Sequence, residues 1–291
     1  MPNSVKHIEI VAFADCKSLT SMTIPDSVTY IGNRAFASCT SLTDIAIPRS
    51  VKEIANRTFE NCISLTDITI PNSVTYIGKE AFAKCTSLTN ITIPNGVTYL
   101  GVNSFKECTG LTNISIPKTV SSIGDYALSG CDSLTSIDVE DENPNYLSID
   151  GVLFTRDKKT LMQFPASKEI NTYIIPEGVK EIGEGAFDKC ERVKKIIMPN
   201  TVTDIGHGAF LDCISLTNMT IPNNVTFIQP FAFAGCYNLT RITIPKSVKI
   251  VGGSEYLRDA FDGCTNLTIY GYKGSYIEKY AKKKKIPFKA I

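Results

Sequence analysis

Cysteine recurs at a fixed step in this chain. Cys16, Cys39, Cys62, Cys85, Cys108 and Cys131 stand 23 residues apart, and Cys190, Cys213 and Cys236 resume the same step. A period of this size defines a repeat architecture, in which each unit is too small to bury its apolar face alone and stacks on its neighbours. The interval Cys131 to Cys190 is 59 residues, so one unit carries 13 more than the others, and Cys236 to Cys264, at 28, carries 5 more. Proline follows the same ruler at Pro25, Pro48, Pro71, Pro94 and Pro117, then Pro176, Pro199, Pro222 and Pro245. So does phenylalanine, at Phe13, Phe36, Phe59, Phe82, Phe105, Phe187, Phe210, Phe233 and Phe261, with Leu128 taking one turn. The unit reads I-P-x-x-V-x-x-I-G-x-x-A-F-x-x-C-x-x-L-T-x-I-x, as from Ile47 to Thr69.

Spacing within the unit predicts its local structure. Ile45-Ala46-Ile47 alternates apolar and polar and ends at proline, which suits a short strand that stops where the backbone donor is lost. A-F-x-x-C places Phe36 and Cys39 on one side of a short helical turn. Glycine after V-x-x-I (Gly32, Gly78, Gly101, Gly124, Gly183, Gly206) marks a bend that suits positive φ, although Ala55 and Gln229 at the same place make that conformation non-obligatory. Stacked units turn the Phe, Val, Ile and Leu rows into continuous internal ladders.

Composition narrows the function classes. Thirty Lys and Arg against 29 Asp and Glu give a net charge of +1, too balanced for a chain that coats nucleic acid. With 43% hydrophobic residues the chain can fill a core. It contains no apolar run of the ~18 residues a membrane helix needs. Two histidines, no nucleophile elbow, no phosphate loop and no dinucleotide fingerprint leave no recognisable catalytic residue, and neither a cofactor nor a metal is expected. The basic excess lies in the last thirteen residues, at Lys279, Lys282, Lys283, Lys284, Lys285 and Lys289.

The unit resembles the atypical leucine-rich repeat of BspA-like bacterial surface proteins over nearly the whole chain. Leu65-Thr66-Asp67-Ile68-Thr69-Ile70 carries the L-x-x-L-x-L core, but Pro71-Asn72-Ser73-Val74 stands where leucine-rich repeats usually continue with Asn or Cys and Leu, a departure characteristic of that subclass. The long unit adds Asp150-Gly151-Val152-Leu153-Phe154, then a charged turn from Thr155 to Thr160, then Leu161-Met162-Gln163-Phe164-Pro165, read as two strands and a turn. The resemblance implies an α/β solenoid: a right-handed leucine-rich-repeat superhelix with short parallel β-strands on one face and short helical turns or extended segments on the other. The expected organisation is a single solenoid domain over residues 1–291, of about eleven turns, with an atypical longer unit at 140–175, an insertion at 253–257 and a C-terminal cap at 268–291.

Parallel stacking places neighbouring cysteine Cβ atoms about 4.8 Å apart, beyond the usual disulfide range, so a reduced, buried ladder is expected rather than disulfides or a zinc site. Two outward rows are candidate binding surfaces. The strand row runs Thr23, Ala46, Thr69, Thr92, Ser115, Asp138, Ile197, Thr220 and Thr243. It would receive a protein segment or glycan, or would be a solvated sheet in which threonine serves β-propensity. The flank row, inside V-x-x-I, holds Tyr30, Tyr76, Tyr99, Phe227 and Ile250, interrupted by Glu53, Ser122, Glu181 and Asp204. Its tyrosines would stack on sugars or anchor a partner, or merely cover the coil. The two insertions, with Tyr256 and the Asp157-Lys158-Lys159 turn, are further candidates because loops carry function. The acidic stretch at 138–145 could offer oxygen ligands to calcium but lacks the EF-hand pattern, so a solvated loop is the alternative. The lysine tail reads as the polar face of a capping helix.

The expected function is a non-enzymatic recognition or adhesion module of a bacterial cell-surface or secreted protein. Partners would be a protein or glycan on a host or neighbouring cell surface, with no nucleic acid, and the chain would be a monomer. Alternatives are a structural spacer presenting another domain and a carbohydrate-binding accessory to a larger enzyme. Because Met1 stands where other units have the Ile before Pro, the chain is expected to be cut from a longer protein, and family resemblance implies an extracellular or cell-surface location.

Overall fold

The computed structural model describes residues 1–252 and 259–291. Two compact units divide the chain, Met1–Arg156 and Asp157–Ile291. In each, one repeat makes one turn of a parallel β-solenoid.

Most regular turns carry two short strands where the sequence announces one, and at Thr92 the first is reduced to a single bridge to Ser115. In the first unit the L-T-x-I segment forms Ser21–Met22, Asp44–Ala46 and Asp67–Thr69, paired in parallel with Ile45 beside Ile68 and Ala46 beside Thr69. Asn113–Ile116 and Ser136–Val139 pair the same way. The V-x-x-I segment forms a second parallel sheet, Glu53–Ile54, Tyr76–Ile77, Tyr99–Leu100 and Ser122–Ile123. At two residues each, these strands are too short for alternation to reveal them. Between the sheets, Val51 N–H donates to the Pro48 carbonyl at 3.0 Å and closes a tight turn. The hydroxyl of Ser73 donates to the carbonyl of Val51 one turn earlier, at 2.8 Å, and Ser27, Ser50, Thr119 and Thr201 tie successive turns together in the same way.

The A-F-x-x-C side is not helical. Arg34 and Ser38 have φ of 57° and 59°, and positive φ recurs at the same two places in the following turns, as at Arg57 and Asn61 or Glu80 and Lys84. No α-helix survives a left-handed residue every fourth position. The amides alternate between two partners instead. Ala35, Ala37 and Cys39 donate three residues back, to Gly32, Arg34 and Phe36, while Arg34, Phe36 and Ser38 donate to Asn56, Thr58 and Glu60 in the next turn. Half the amides thus bind between turns, which an α-helix would forbid, and the α/β expectation gives way to an all-β coil. Among the described residues the α-helix is Tyr276–Lys284.

The bend glycines do not supply the positive φ. Gly101 keeps an ordinary φ, and a Cβ there would lie 2.5 Å from the Gly78 carbonyl carbon and the Lys79 nitrogen, so close approach of successive turns selects glycine.

Apolar ladders fill both units. Phe36, Phe59, Phe82 and Phe105 are fully buried and stack with centroids 5.4–5.6 Å apart. In the second unit Phe187, Phe210 and Phe233 stack at 5.0–5.1 Å. Phe164, read from sequence as part of an inserted strand, starts this second ladder, 5.1 Å from Phe187. Thr160–Gln163 pairs Leu161 with Ile182, 21 residues on, whereas Phe164 stacks 23 residues on. Two residues are therefore missing between strand and ladder, which hides the repeat.

The long unit forms both strands that the sequence reading gave it, Val152–Thr155 and Thr160–Gln163, and adds an unread third before them. Tyr146–Ile149 pairs with Val152–Thr155 around Asp150 and Gly151, both at positive φ, the geometry that an Asp-Gly hairpin turn requires. Asn143, fully buried, roots it: its amide donates to the carbonyls of Pro117 and Val120 and its oxygen accepts from the amides of Asn145 and Tyr146.

In the second unit the strand face comprises Thr172–Ile174, Lys195–Ile197, Asn218–Thr220, Arg241–Thr243, Thr268–Gly271 and Phe288–Ala290. The other sheet holds Thr160–Gln163, Glu181–Ile182, Asp204–Ile205, Phe227–Ile228 and Ile250–Val251. Helix Tyr276–Lys284 buries Ile277, Tyr280 and Ala281 and leaves its lysines in solvent.

Candidate interaction surface

Strand pleating decides which side chains meet solvent. In the first unit the buried row includes Ile45, Ile68, Ile91, Ile114 and Ile137, and the residue after each faces out. Ala46 and Thr69 are register neighbours, Thr92 bridges Ser115, and Ser115 pairs with Asp138. Thr23, Thr69, Thr92 and Ser115 are all exposed. The second unit brings Ile197, Thr220 and Thr243 into the equivalent row, with Thr243 half-buried.

The threonines one step before the strands have another role. Thr66 Oγ1 donates to the Thr43 carbonyl and Thr43 Oγ1 to the Thr20 carbonyl, each at 3.1 Å. This hydroxyl ladder lies along the edge of the face and explains the recurrent L-T pair.

On the flank, Tyr76 and Tyr99 stack with centroids 4.8 Å apart and planes within 1°. Each ring covers a face of the other, so the pair presents edges and hydroxyls rather than a flat platform. Burial pushes the Tyr76 hydroxyl pKa up, with smaller contributions from Tyr99 and Glu53. Tyr30 makes an edge contact with His7 at 6.0 Å, and Phe227 sits beside Ile250. Tyr256 and the insertion at 253–257 lie outside the described residues.

The acidic stretch is partly committed to Lys118. Glu142 meets its ammonium at 2.5 Å, and Glu140 accepts from its backbone amide at 2.9 Å. The hydrogen bond and charge of Lys118 hold the Glu142 carboxyl below its ordinary range. Among the described residues no group of three or more His, Cys, Asp or Glu is placed to hold a metal ion. All ten cysteines are free, and burial is the leading cause that raises the pKa of Cys62, Cys85 and Cys108.

Charge on the strand faces was missed in the sequence reading. In the first unit Asp44 and Asp67 are register neighbours on the outward side, and Asp138 lies on the same face. In the second unit the matching position carries Lys195, Asn218 and Arg241, and the next outward row carries Ile174, Ile197 and Tyr270. The Arg241 guanidinium lies 4.0 Å from the Tyr270 ring centroid, and the Lys289 ammonium 5.7 Å. Ile174 is 65% exposed and Ile197 39%. The signal was present in the variable x of T-x-I-x, which a consensus discards.

No helix among the described residues is long and apolar enough to cross a membrane. The model of the BspA-type leucine-rich repeat region matches residues 1–108, 75–169 and 162–281. A comparison with curated proteins finds no match. Among solved structures, a leucine-rich repeat protein from Eubacterium ventriosum is similar at 27% identity, covering 88% of this chain and 67% of its own, with a TM-score of 0.80. A leucine-rich cell surface protein from Faecalibacterium prausnitzii is 35% identical over 95% of this chain and 85% of its own, with a TM-score of 0.68. The pneumococcal vaccine antigen PcpA shares the fold at 22% identity and a TM-score of 0.66, over 99% of this chain and 85% of its own.

Proposed function

Because the chain belongs to the BspA-type leucine-rich repeat family, we propose that it is a non-enzymatic recognition module of a bacterial cell-surface or secreted protein. It engages a protein or glycan of a host or neighbouring cell through the outward rows of its repeats. The observation that carries this reading is the in-register display of exposed side chains, such as Thr69 beside Ala46 and Thr220 beside Thr243, on strands that rest on fully buried ladders. A rigid display loses little conformational entropy on binding. The likeness to a cell surface protein of Faecalibacterium prausnitzii supports the location. One continuous solenoid domain over residues 1–291 and a monomeric state belong to the same proposal.

The strand row, with Thr23, Thr69, Thr92, Ser115, Thr220 and Thr243, is the preferred contact surface. Tyr30, Tyr76 and Tyr99 serve as a secondary edge. Incubation of the folded chain with arrayed extracellular-matrix proteins and surface glycans tests the reading. Saturable binding to a member of either class is expected. Silence on both arrays from protein with an intact β circular-dichroism signal would sink it and favour the spacer.

A further inference from the structure

The strand face of the unit Asp157–Ile291 differs in chemistry from that of Met1–Arg156. No outward position of Lys195–Ile197, Asn218–Thr220, Arg241–Thr243 or Thr268–Gly271 is a carboxylate. Lys195, Arg241 and Lys289 supply cations there, and among the described residues none of the three forms an ion pair. Surface cations on a repeat protein ordinarily sit among anions, as Arg57 does at 2.6 Å from Glu80. Arg241 is held instead by an aromatic face, which leaves its guanidinium edge free for a carboxylate.

Apolar surface accompanies the charge. Ile174 and Ile197 are Cα partners in adjacent strands and both exposed. A shallow groove of ≈ 380 Å³ runs from Lys195 and Ile197 past Thr220 and Thr243 to Tyr272. At about 4.8 Å per strand, Ile174 and Tyr270 lie roughly 19 Å apart, the reach of about six extended residues.

We propose that this face binds an extended acidic polypeptide segment whose carboxylates meet Lys195 and Arg241 and whose apolar side chains cover Ile174 and Ile197. Charge complementarity selects the acidic partner, and the paired isoleucines favour a polypeptide over a sulfated glycan, which has no aliphatic side chain to cover them. This rests on the recognition reading above and names the face and the ligand chemistry.

The test is fluorescence anisotropy on the full chain, with three labelled probes: a peptide of glutamate interspersed with leucine, its lysine counterpart, and a heparin oligosaccharide. The acidic peptide is expected to bind, to weaken as salt rises, and to lose affinity by about tenfold or more in the Lys195→Glu/Arg241→Glu variant. Ile197→Asp should weaken it too, while Asp44→Lys/Asp67→Lys should not. These positions are exposed, and Lys195→Gln/Arg241→Gln provides a milder variant if charge reversal disturbs folding. Absent binding of the acidic peptide, binding indifferent to both Lys195/Arg241 variants, or variant-sensitive binding of heparin alone would each overturn the proposal. An arrayed partner whose binding survives Lys195→Glu/Arg241→Glu would overturn it while leaving the recognition reading standing.

Discussion

The thiol of Cys85 donates to the carbonyl of Phe59, 26 residues earlier and 3.2 Å away. The same carbonyl accepts from the amide of Cys62, so each Cys thiol adds a second donor to a turn that is already closed. Cys62 to Phe36 and Cys108 to Phe82 repeat the contact. This explains why the ladder uses cysteine: it packs as a small apolar residue and still offers a donor.

Burial leads the causes that push the Cys62 thiol up to about 12 and Cys39 to about 11, from an ordinary value of 9.0. Raised native values mean that the unfolded chain ionises first. The thiols' contribution to stability is therefore complete below about pH 9 and is lost as pH climbs from there towards 12. Urea midpoints measured from pH 8 to pH 11 should fall, and the fall should shrink when Cys62 and Cys85 are both alanine. Thiol trapping under denaturing, non-reducing conditions should find ten free groups. In the native protein the half-exposed Cys16 should be alkylated well before the buried Cys85.

Phe82 is fully buried between Phe59 and Phe105. Its replacement by alanine opens a cavity that the flanking rings cannot close without breaking their own stacks. Phe82→Ala should cost about 3 to 5 kcal/mol, and the outward Thr69→Ala within about 0.5 kcal/mol. Chemical denaturation of the two variants measures the contrast, and equal losses would show that the ladder is not the core.

What the sequence shows and what it hides follow from the same physics. Inward positions repeat because stacked turns offer each residue the same neighbours, so the ladders, the free cysteines and the family could be read before any coordinates. Backbone routing could not. Arg34, Arg57, Glu80 and Asn103 share a positive φ but no side-chain signature, and their amides find partners 22 residues away rather than locally. Val152–Thr155 and Thr160–Gln163 stand where two strands were read, but Tyr146–Ile149, which Asp150-Gly151 joins to the first of them, was missed. The charge of the strand faces was hidden because Asp67 and Arg241 occupy the same variable position of the consensus.

Asn143 uses all four of its hydrogen-bonding sites while fully buried. Asn143→Ala should cost about 2 to 4 kcal/mol, because the carbonyls of Pro117 and Val120 and two amides lose their partner at once. Asn143→Asp keeps the shape and the acceptor but turns a carboxylate oxygen on two carbonyls, so at neutral pH it should be the worse variant. Acidification should narrow the gap, since a protonated acid can again donate. Thermal melts of both variants at pH 7 and pH 4 check the order.

Besides its buried Ile277, Tyr280 and Ala281, the helix Tyr276–Lys284 is held to the last repeat by one carboxylate. Asp259 accepts a short hydrogen bond from the Tyr280 hydroxyl, a second from the Phe261 amide at 3.2 Å, and meets the Lys284 ammonium at 2.8 Å. Burial, together with the hydrogen bond and charge of Asp259, raises the Tyr280 pKa, so the hydroxyl remains a donor far into the alkaline range. Tyr280→Phe removes that donor while Lys284 and the Phe261 amide still face the carboxylate, and should cost about 1 to 2 kcal/mol. Asp259→Ala releases all three contacts and should cost more. Amide hydrogen exchange should show faster exchange in the helix before any change at Phe82, on the far side of the chain's division into units. Uniform acceleration across both units would mean that the helix is fastened by something other than Asp259.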